Sequence, residues 1–423
     1  MMRIVVTGLG AVSPLGVGVD TVWSRLIAGQ SGLTRLDYGF APGVACQVAG
    51  RVPGASEAAG FDLDRVVGAK DQKKMDRFIQ FALAAADEAI AQARWTPSSE
   101  REQERTATVI ATGTGGFHTL AEAIRTSDRQ GPQRLSPFTA PAFLANLAAG
   151  WVSIRHAFKG PIGAPVTACA AGAQAIGDAA RLIRAGEADI AICGGAEASI
   201  NAVSMGIFAA ARALSTGFNT RPEQASRPFD RDRDGFVMAE GAGILVLESL
   251  DHALARGATP IAELVGYGTS SDAYHLTAGP ADGSGARRAM LCAIDQAQIE
   301  PEQIGHLNAH ATSTQVGDQA ELAAIKSVFG EHPPLAISAT KSATGHMLGA
   351  AGAIEAIFTV LALRDGIAPP TLNLMCPDPL AEGLDIVGHS ARPITADYAI
   401  SNGFGFGGVN ASVVFRRWVQ DVA

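Results

Sequence analysis

Cys169, His310, Lys341 and His346 are the residues of this 423-residue chain whose types and settings could carry chemistry. Cys169 lies in VTACAAGAQAIGDAARLIRAG, residues 166–186, where a β-branched start breaks into small residues and runs into a helix. A sharp strand-to-helix turn there would hold the thiol clear of the backbone. The first-turn N–H groups of a helix have no internal partners, and its dipole favours negative charge. Both effects are expected to lower the thiol pKa and yield a thiolate nucleophile. The plain alternative is a small buried hydrophobe, the common fate of a lone cysteine. His310 sits in NAHATST just after a strand-like run, with Thr312 and Thr314 close behind. Lys341 and His346 sit in KSATGHMLGAAG, a Gly/Ala-rich loop that opens a helix. Cysteine plus one histidine would fit a thiol hydrolase. Two imidazoles that donate hydrogen bonds, with a lysine, fit the stabilisation of an enolate or oxyanion derived from a thioester. A decarboxylating carbon–carbon bond formation needs that.

The elements that must position these residues read as alternating strands and helices. Strand-like runs followed by Gly-rich loops occur at RIVVTGLGAVS from residue 3 and TATVIATGTGG from 106, and GAGILVLE reads as a strand buried on both faces. EADIAICGG, residues 187–195, reads as another buried strand, with Cys193 in the core. Helices are expected over residues 22–28, over 70–92, within 136–157, and from 172 to 186. The charged run FDRDRDGF reads as a loop. From residue 257 the order of elements recurs: AELVGYGTSSD resembles the first strand, HLNAHATST the second, and the helix from 352 to 366 matches that from 172 to 186 at an offset of 180. This implies two related α/β halves, 1–256 and 257–423, whose helix-starting loops face each other and bring Cys169 to the second half's loops.

Composition bounds the rest. The chain is 47% hydrophobic and 17% charged, with 48 glycines, which suits a large packed protein and excludes a disordered one. A net charge of −8 gives no general reason to expect nucleic acid or an anionic membrane as partner. Five cysteines without close spacing suggest neither a disulfide framework nor a zinc site, and a reducing compartment is expected. No apolar stretch is long enough for a membrane span, and the start of the chain lacks a signal-peptide pattern. Lys70, Lys73 and Lys74 make a local positive patch, either a solvated helix end or a dock for an acidic partner.

With these motifs in order, the chain resembles the elongating β-ketoacyl-acyl-carrier-protein synthases, the condensing enzymes of dissociated (type II) fatty acid synthesis. VTACAAG resembles that family's nucleophile motif, NAHATST its first histidine motif, KSATGHMLGAAG its lysine and second histidine motif, NGFGFGGVN its C-terminal loop, and RPFDRDRDGFVMAEGAG its central signature. The resemblance implies a thiolase-like layered αβαβα fold from two duplicated halves and a cytoplasmic homodimer. It implies that Cys169 takes the acyl chain, that His310 and His346 bind the malonyl thioester carbonyl, and that the N–H groups of Cys169 and Phe406 form the oxyanion hole. It casts Phe406 as a gate, Lys341 as the group that orients His310 with Glu355 as its charge partner, and Asp318 and Glu321 as structural acids. Thr312, Thr314 and Thr277 would bind the phosphopantetheine arm, which arrives on the acyl carrier protein. No tightly bound cofactor and no catalytic metal are implied. Lys70, Lys73, Lys74 and Arg212 lie where the family docks its carrier.

The chain departs from the family pattern at Ala170 and Ala171, where many relatives carry Thr or Ser, at Ala311 in place of Gly, and at Val409 in place of Thr. Thr114 stands where many long-chain members have a larger aliphatic residue at the acyl pocket. These departures leave acyl chain length open, and with it a ketosynthase of a polyketide or unusual-lipid pathway. A non-catalytic chain-length subunit would lack the nucleophile, and a coenzyme A thiolase would carry a second reactive cysteine.

Overall fold

The computed structural model describes residues 2–419. Its main elements, in chain order, are β1 (Ile4–Ser13), α1 (Arg77–Ala93), β2 (Thr106–Ala111), α2 (Ala171–Arg184), β3 (Ile190–Glu197) and β4 (Gly241–Ser249). There follow β5 (Ala262–Ser271), α3 (Ser284–Ala297), β6 (Ile304–Asn308), α4 (Gln315–Phe329), β7 (Ala336–Ser338), α5 (Ala351–Asp365), β8 (Tyr398–Gly405) and β9 (Val409–Arg417).

The strand pattern repeats. β1 pairs antiparallel with β4, β4 antiparallel with β3, and β3 parallel with β2. β5 pairs antiparallel with β9, β9 antiparallel with β8, and β8 parallel with β6. The two runs join where Ile4–Val6 of β1 meets β5. α1 covers the outer face of β1, β4 and β3, and α3 covers β5 and β9. α2 and α5 lie between the runs and touch strands of both. The result is the five-layered, thiolase-like αβαβα arrangement.

A helix packed between two sheets must be apolar on more than one side. α5 is buried at every position from Ala351 to Leu363, and α2 presents Ala171, Gly172, Ala173, Ile176, Ala179, Ala180 and Ile183 to the core. Small residues let their starts cross closely. A Cβ on Gly172 would lie 2.7 Å from the Ala353 nitrogen, and one on Gly352 would lie 2.7 Å from the Ala173 nitrogen. These reciprocal contacts, at the offset of 180, are the facing helix starts expected from the repeat.

Some elements differ from the sequence reading. The helix expected over 70–92 is split into Ala69–Gln72 and α1, because Asp76 takes an extended conformation as the N-cap of α1. The one expected within 136–157 is likewise two helices, Thr139–Phe143 and Leu147–His156, separated by extended Leu144. The strand read as ending at Gly195 continues to Glu197, and Cys193 is buried as expected.

Candidate active site

Cys169 sits in a single 3₁₀ turn, Ala168–Ala170, that leads directly into α2. No strand precedes it within the turn. The bend comes instead from Ala168, whose φ is +50°. A non-glycine residue in this region is strained and is retained where the surroundings over-determine it. Leu348, 180 residues on, repeats it with φ +47° ahead of the 3₁₀ turn Leu348–Ala350 and α5. The position matching Cys169 in this second turn is Gly349.

His346 arrives on the loop before that second turn, and its Nε2 stands 2.9 Å from Cys169 Sγ. His310 follows β6, and its ring meets that of His346 edge-on with centroids 5.4 Å apart. Glu321 of α4 accepts the backbone N–H groups of His310 at 2.9 Å and of Ala311 at 2.6 Å, and Asn402 donates to the same carboxylate. Glu321 therefore fixes the loop that presents His310. Lys341 Nζ lies 2.5 Å from Glu355 Oε1, and both side chains are 1% exposed.

The C-terminal hairpin closes the site. The backbone N–H of Phe406 faces the Cys169 thiol and draws its pKa down. It reaches the thiol because Gly405 has no side chain: a Cβ there would lie 2.8 Å from the Thr167 carbonyl and 3.2 Å from the Cys169 nitrogen. Phe406 itself is 40% exposed and lines the cavity, with glycines on both sides.

Electrostatics correct one expectation. Burial pushes the Cys169 thiol up to about 12, although the Lys341 charge and the Phe406 N–H pull it back down. Desolvation outweighs the helix-start effect, so the resting group is a thiol. Burial, followed by the Lys341 charge, holds His310 and His346 well below the usual imidazole range. Both are neutral at working pH. A neutral thiol beside a neutral imidazole can pass its proton to Nε2 as it attacks.

A cavity of about 610 Å³ opens onto Cys169, His310 and His346. Thr277, Thr312, Thr314 and Arg212 line it, and the Thr312 and Thr314 hydroxyls are 3.0 Å apart. Thr114 lies off its wall: the hydroxyl is engaged by Glu197 at 2.8 Å and Ser199 at 2.5 Å. Lys70 and Lys73 are exposed away from the cavity, while Lys74 pairs with Asp71 at 2.6 Å.

The charged run 229–236 is a loop as expected, with Arg231, Asp232 and Asp234 exposed but Asp230 and Arg233 buried. Arg233 is buried, donating to the Asp230, Thr314 and Gln315 carbonyls and to Asp378 at 2.8 Å. Asp318 accepts the N–H groups of Phe229 and Ser313, so this buried knot fixes the backbone of the 310–314 loop. Asp318 is raised to about 7, chiefly by burial. Sequence reasoning missed Arg233, Asp230 and Glu197. A dense charge run beside glycines was the available signal for the first two.

The sequence profile described as Beta-ketoacyl synthase, N-terminal domain, matches residues 1–253, and that of Beta-ketoacyl synthase, C-terminal domain, matches residues 261–375. The chain belongs to the beta-ketoacyl synthase family. It is 49% identical to 3-oxoacyl-[acyl-carrier-protein] synthase 2 of Rhizobium meliloti (strain 1021), covering 99% of both chains. It is 48% identical to the mitochondrial 3-oxoacyl-[acyl-carrier-protein] synthase of Arabidopsis thaliana, covering 98% of this chain and 93% of that one. Among solved structures, a beta-ketoacyl synthase from Burkholderia phymatum STM815 matches with a TM-score of 0.90 at 35% identity, covering 99% of this chain and 100% of that one. A ketosynthase structure in complex with its type II PKS acyl-carrier protein matches with a TM-score of 0.89 at 34% identity, again covering 99% and 100%.

Proposed function

We propose that the chain is an acyltransferase of fatty acid elongation. It condenses an acyl group held on Cys169 with malonyl-acyl carrier protein, giving CO2 and a 3-oxoacyl-acyl carrier protein two carbons longer. The observation that carries this reading is the convergence of one thiol, two neutral imidazoles and the Phe406 N–H at a single cavity.

In the first half-reaction the Cys169 thiol gives its proton to His346 Nε2 while Sγ attacks the acyl thioester. The carrier's thiol leaves with that proton. Next the malonyl thioester enters, His346 having moved its single proton from Nδ1 to Nε2, and the two imidazoles donate to its carbonyl oxygen. Loss of CO2 leaves an enolate, whose carbon attacks the acyl carbonyl on Cys169. The oxyanion rests between the N–H groups of Cys169 and Phe406, where preorganised donors favour developing charge. Collapse breaks the C–S bond and returns Cys169 as a thiolate, which is then protonated. Lys341, balanced by Glu355, acts on both imidazoles through its charge.

Thr277, Thr312 and Thr314 hold the phosphopantetheine arm, so no resident cofactor is needed. Lys70 and Lys73, with Lys74 and Arg212 in support, meet the acidic carrier. A second copy of the chain covers the free sheet edge at Ile162–Gly163, where Ile162 and Val166 are each 51% exposed and Ile154 is 72% exposed. A cytoplasmic location fits the free thiols. Relatives at 45–49% identity favour fatty acid elongation over the polyketide role of structural neighbours at 34%.

Separated half-reactions test this reading. Cys169→Ala is expected to lose condensation while malonyl-carrier decarboxylation persists. His310→Ala is expected to lose decarboxylation and keep acylation. His346→Ala should slow both, since that ring faces both. Elongation by Cys169→Ala at the wild-type rate would overturn the proposal.

A further inference from the structure

Glu197 is a fully buried carboxyl that none of the steps above uses. It ends β3, and its Oε2 accepts two backbone N–H groups, from Gly113 at 2.7 Å and from Gly349 at 3.1 Å. Gly113 follows β2 in the first half. Gly349 is the second-half counterpart of Cys169 and lies three residues after His346. The approach is close: a Cβ on Gly349 would lie 2.0 Å from the Gly113 nitrogen. The carboxyl thus bridges the two halves at the turn that follows His346, as Glu321 fixes the loop that carries His310.

The contacts of the other oxygen fit a protonated carboxyl. Oε1 lies 2.8 Å from the Thr114 hydroxyl and 2.8 Å from the Ser199 hydroxyl, and those two hydroxyls are 2.5 Å apart. Three close oxygen–oxygen contacts need three protons, and two hydroxyls supply only two. The third comes from the carboxyl. Burial, which raises the Glu197 pKa, acts in the same direction.

We propose that Glu197, as a carboxylic acid, is a positioning residue that pins the turn after His346 to the first half of the chain and so aims His346 at Cys169. This rests on the proposed function of the site. It also accounts for a threonine at position 114, which closes the hydrogen-bonded ring with Ser199.

The test uses full-length Glu197→Ala and Glu197→Gln. Three quantities are read: the rate of Cys169 alkylation by iodoacetamide across pH, kcat and KM of condensation, and thermal unfolding. In Glu197→Ala, kcat and the alkylation rate should fall by about ten- to a hundredfold, with KM changed by less than about twofold. Glu197→Gln is the conservative rescue. Its carbonyl can accept the two N–H groups and its NH2 can donate to the two hydroxyls, so it should recover most of the lost rate with an unshifted pH profile. Wild-type alkylation and kcat in Glu197→Ala would overturn the proposal. So would a folded Glu197→Gln as impaired as the alanine variant, because the group would then act as an anion. Should Glu197→Ala fail to fold, Ser199→Ala removes one corner of the ring, and an unchanged alkylation rate there would overturn the proposal equally. Alkylation needs neither carrier nor malonyl group. A wild type that fails to condense would therefore sink the functional reading without deciding the role of Glu197.

Discussion

Gly405→Ala tests whether the C-terminal hairpin is built to bring an N–H to the thiol. The added Cβ would lie 2.8 Å from the Thr167 carbonyl oxygen and 3.2 Å from the nitrogens of Cys169 and Ala170. All three neighbours are backbone atoms of the nucleophile turn, so no side chain can rotate away. Gly405 is not in the left-handed region, so alanine can adopt its backbone conformation and the effect is steric. Carbon atoms pack at about 3.5–4.0 Å, so the hairpin must retreat by roughly half an ångström or more. Overpacking of this kind costs about 1–3 kcal/mol of stability. The larger effect is on rate. Retreat carries the Phe406 N–H off the thiol, and full loss of one oxyanion donor costs about 10²–10³ in rate. A partial displacement should cost about tenfold or more. The assay is the rate of Cys169 acylation by acyl-carrier protein, followed by intact-protein mass, with thermal unfolding alongside. Gly388→Ala is the control, because a Cβ there meets nothing within 4 Å, and its stability should stay within about 0.5 kcal/mol of wild type. A Gly405→Ala protein that is acylated at the wild-type rate would refute the reasoning.

Alkylation of Cys169 by iodoacetamide in the substrate-free enzyme should keep rising with pH beyond 9, because burial pushes the thiol up to about 12. A plateau below pH 8 would show a resting thiolate instead. Lys341→Met removes the charge that helps hold His310 and His346 low, so the acid limb of malonyl decarboxylation should move to higher pH. Stability should fall by up to about 3–5 kcal/mol, less whatever Glu355 regains by taking up a proton; a limb that stays in place would contradict the role assigned to Lys341. Charge reversal at Lys70 and Lys73 should weaken carrier binding, measured by titration, and flatten its salt dependence. Reversal at Lys74 should matter less because Asp71 already neutralises it, and unchanged affinity in the Lys70 and Lys73 variants would leave the patch a solvated helix end. Asp318→Asn turns an amide donor toward the N–H of Phe229 or Ser313. It should cost about 1–3 kcal/mol in denaturant unfolding, and an unchanged midpoint would remove Asp318 from the support of the 310–314 loop.

The catalytic frame was legible because small residues and histidines stand in short unbroken motifs. The repeat was legible in the offset of 180, at which Ala168 and Leu348 are both left-handed and the helix starts cross at Gly172 and Gly352. What escaped depends on partners distant in sequence. FDRDRDGF reads simply as a charged loop, and it takes Asp378 with the carbonyls of 230, 314 and 315 to explain a buried Arg233. Glu197 follows two glycines that look like a strand's end, and its value lies in Gly113 and Gly349. Thr114 looked like pocket lining, yet its hydroxyl is taken by Glu197 and Ser199. The thiol's state was misjudged because a helix start has a sign that sequence shows, whereas desolvation depends on the enclosing fold.

The most direct test follows the mass of Cys169 through one cycle. The wild type is loaded from acyl-carrier protein in the absence of malonyl-carrier, then mixed with malonyl-carrier. An acyl adduct mapping to Cys169 should form, and then disappear as CO2 and a 3-oxoacyl-carrier two carbons longer are produced in equal amounts. An adduct that releases only free acid, or a folded protein that forms no adduct with any chain length, would contradict the condensing role.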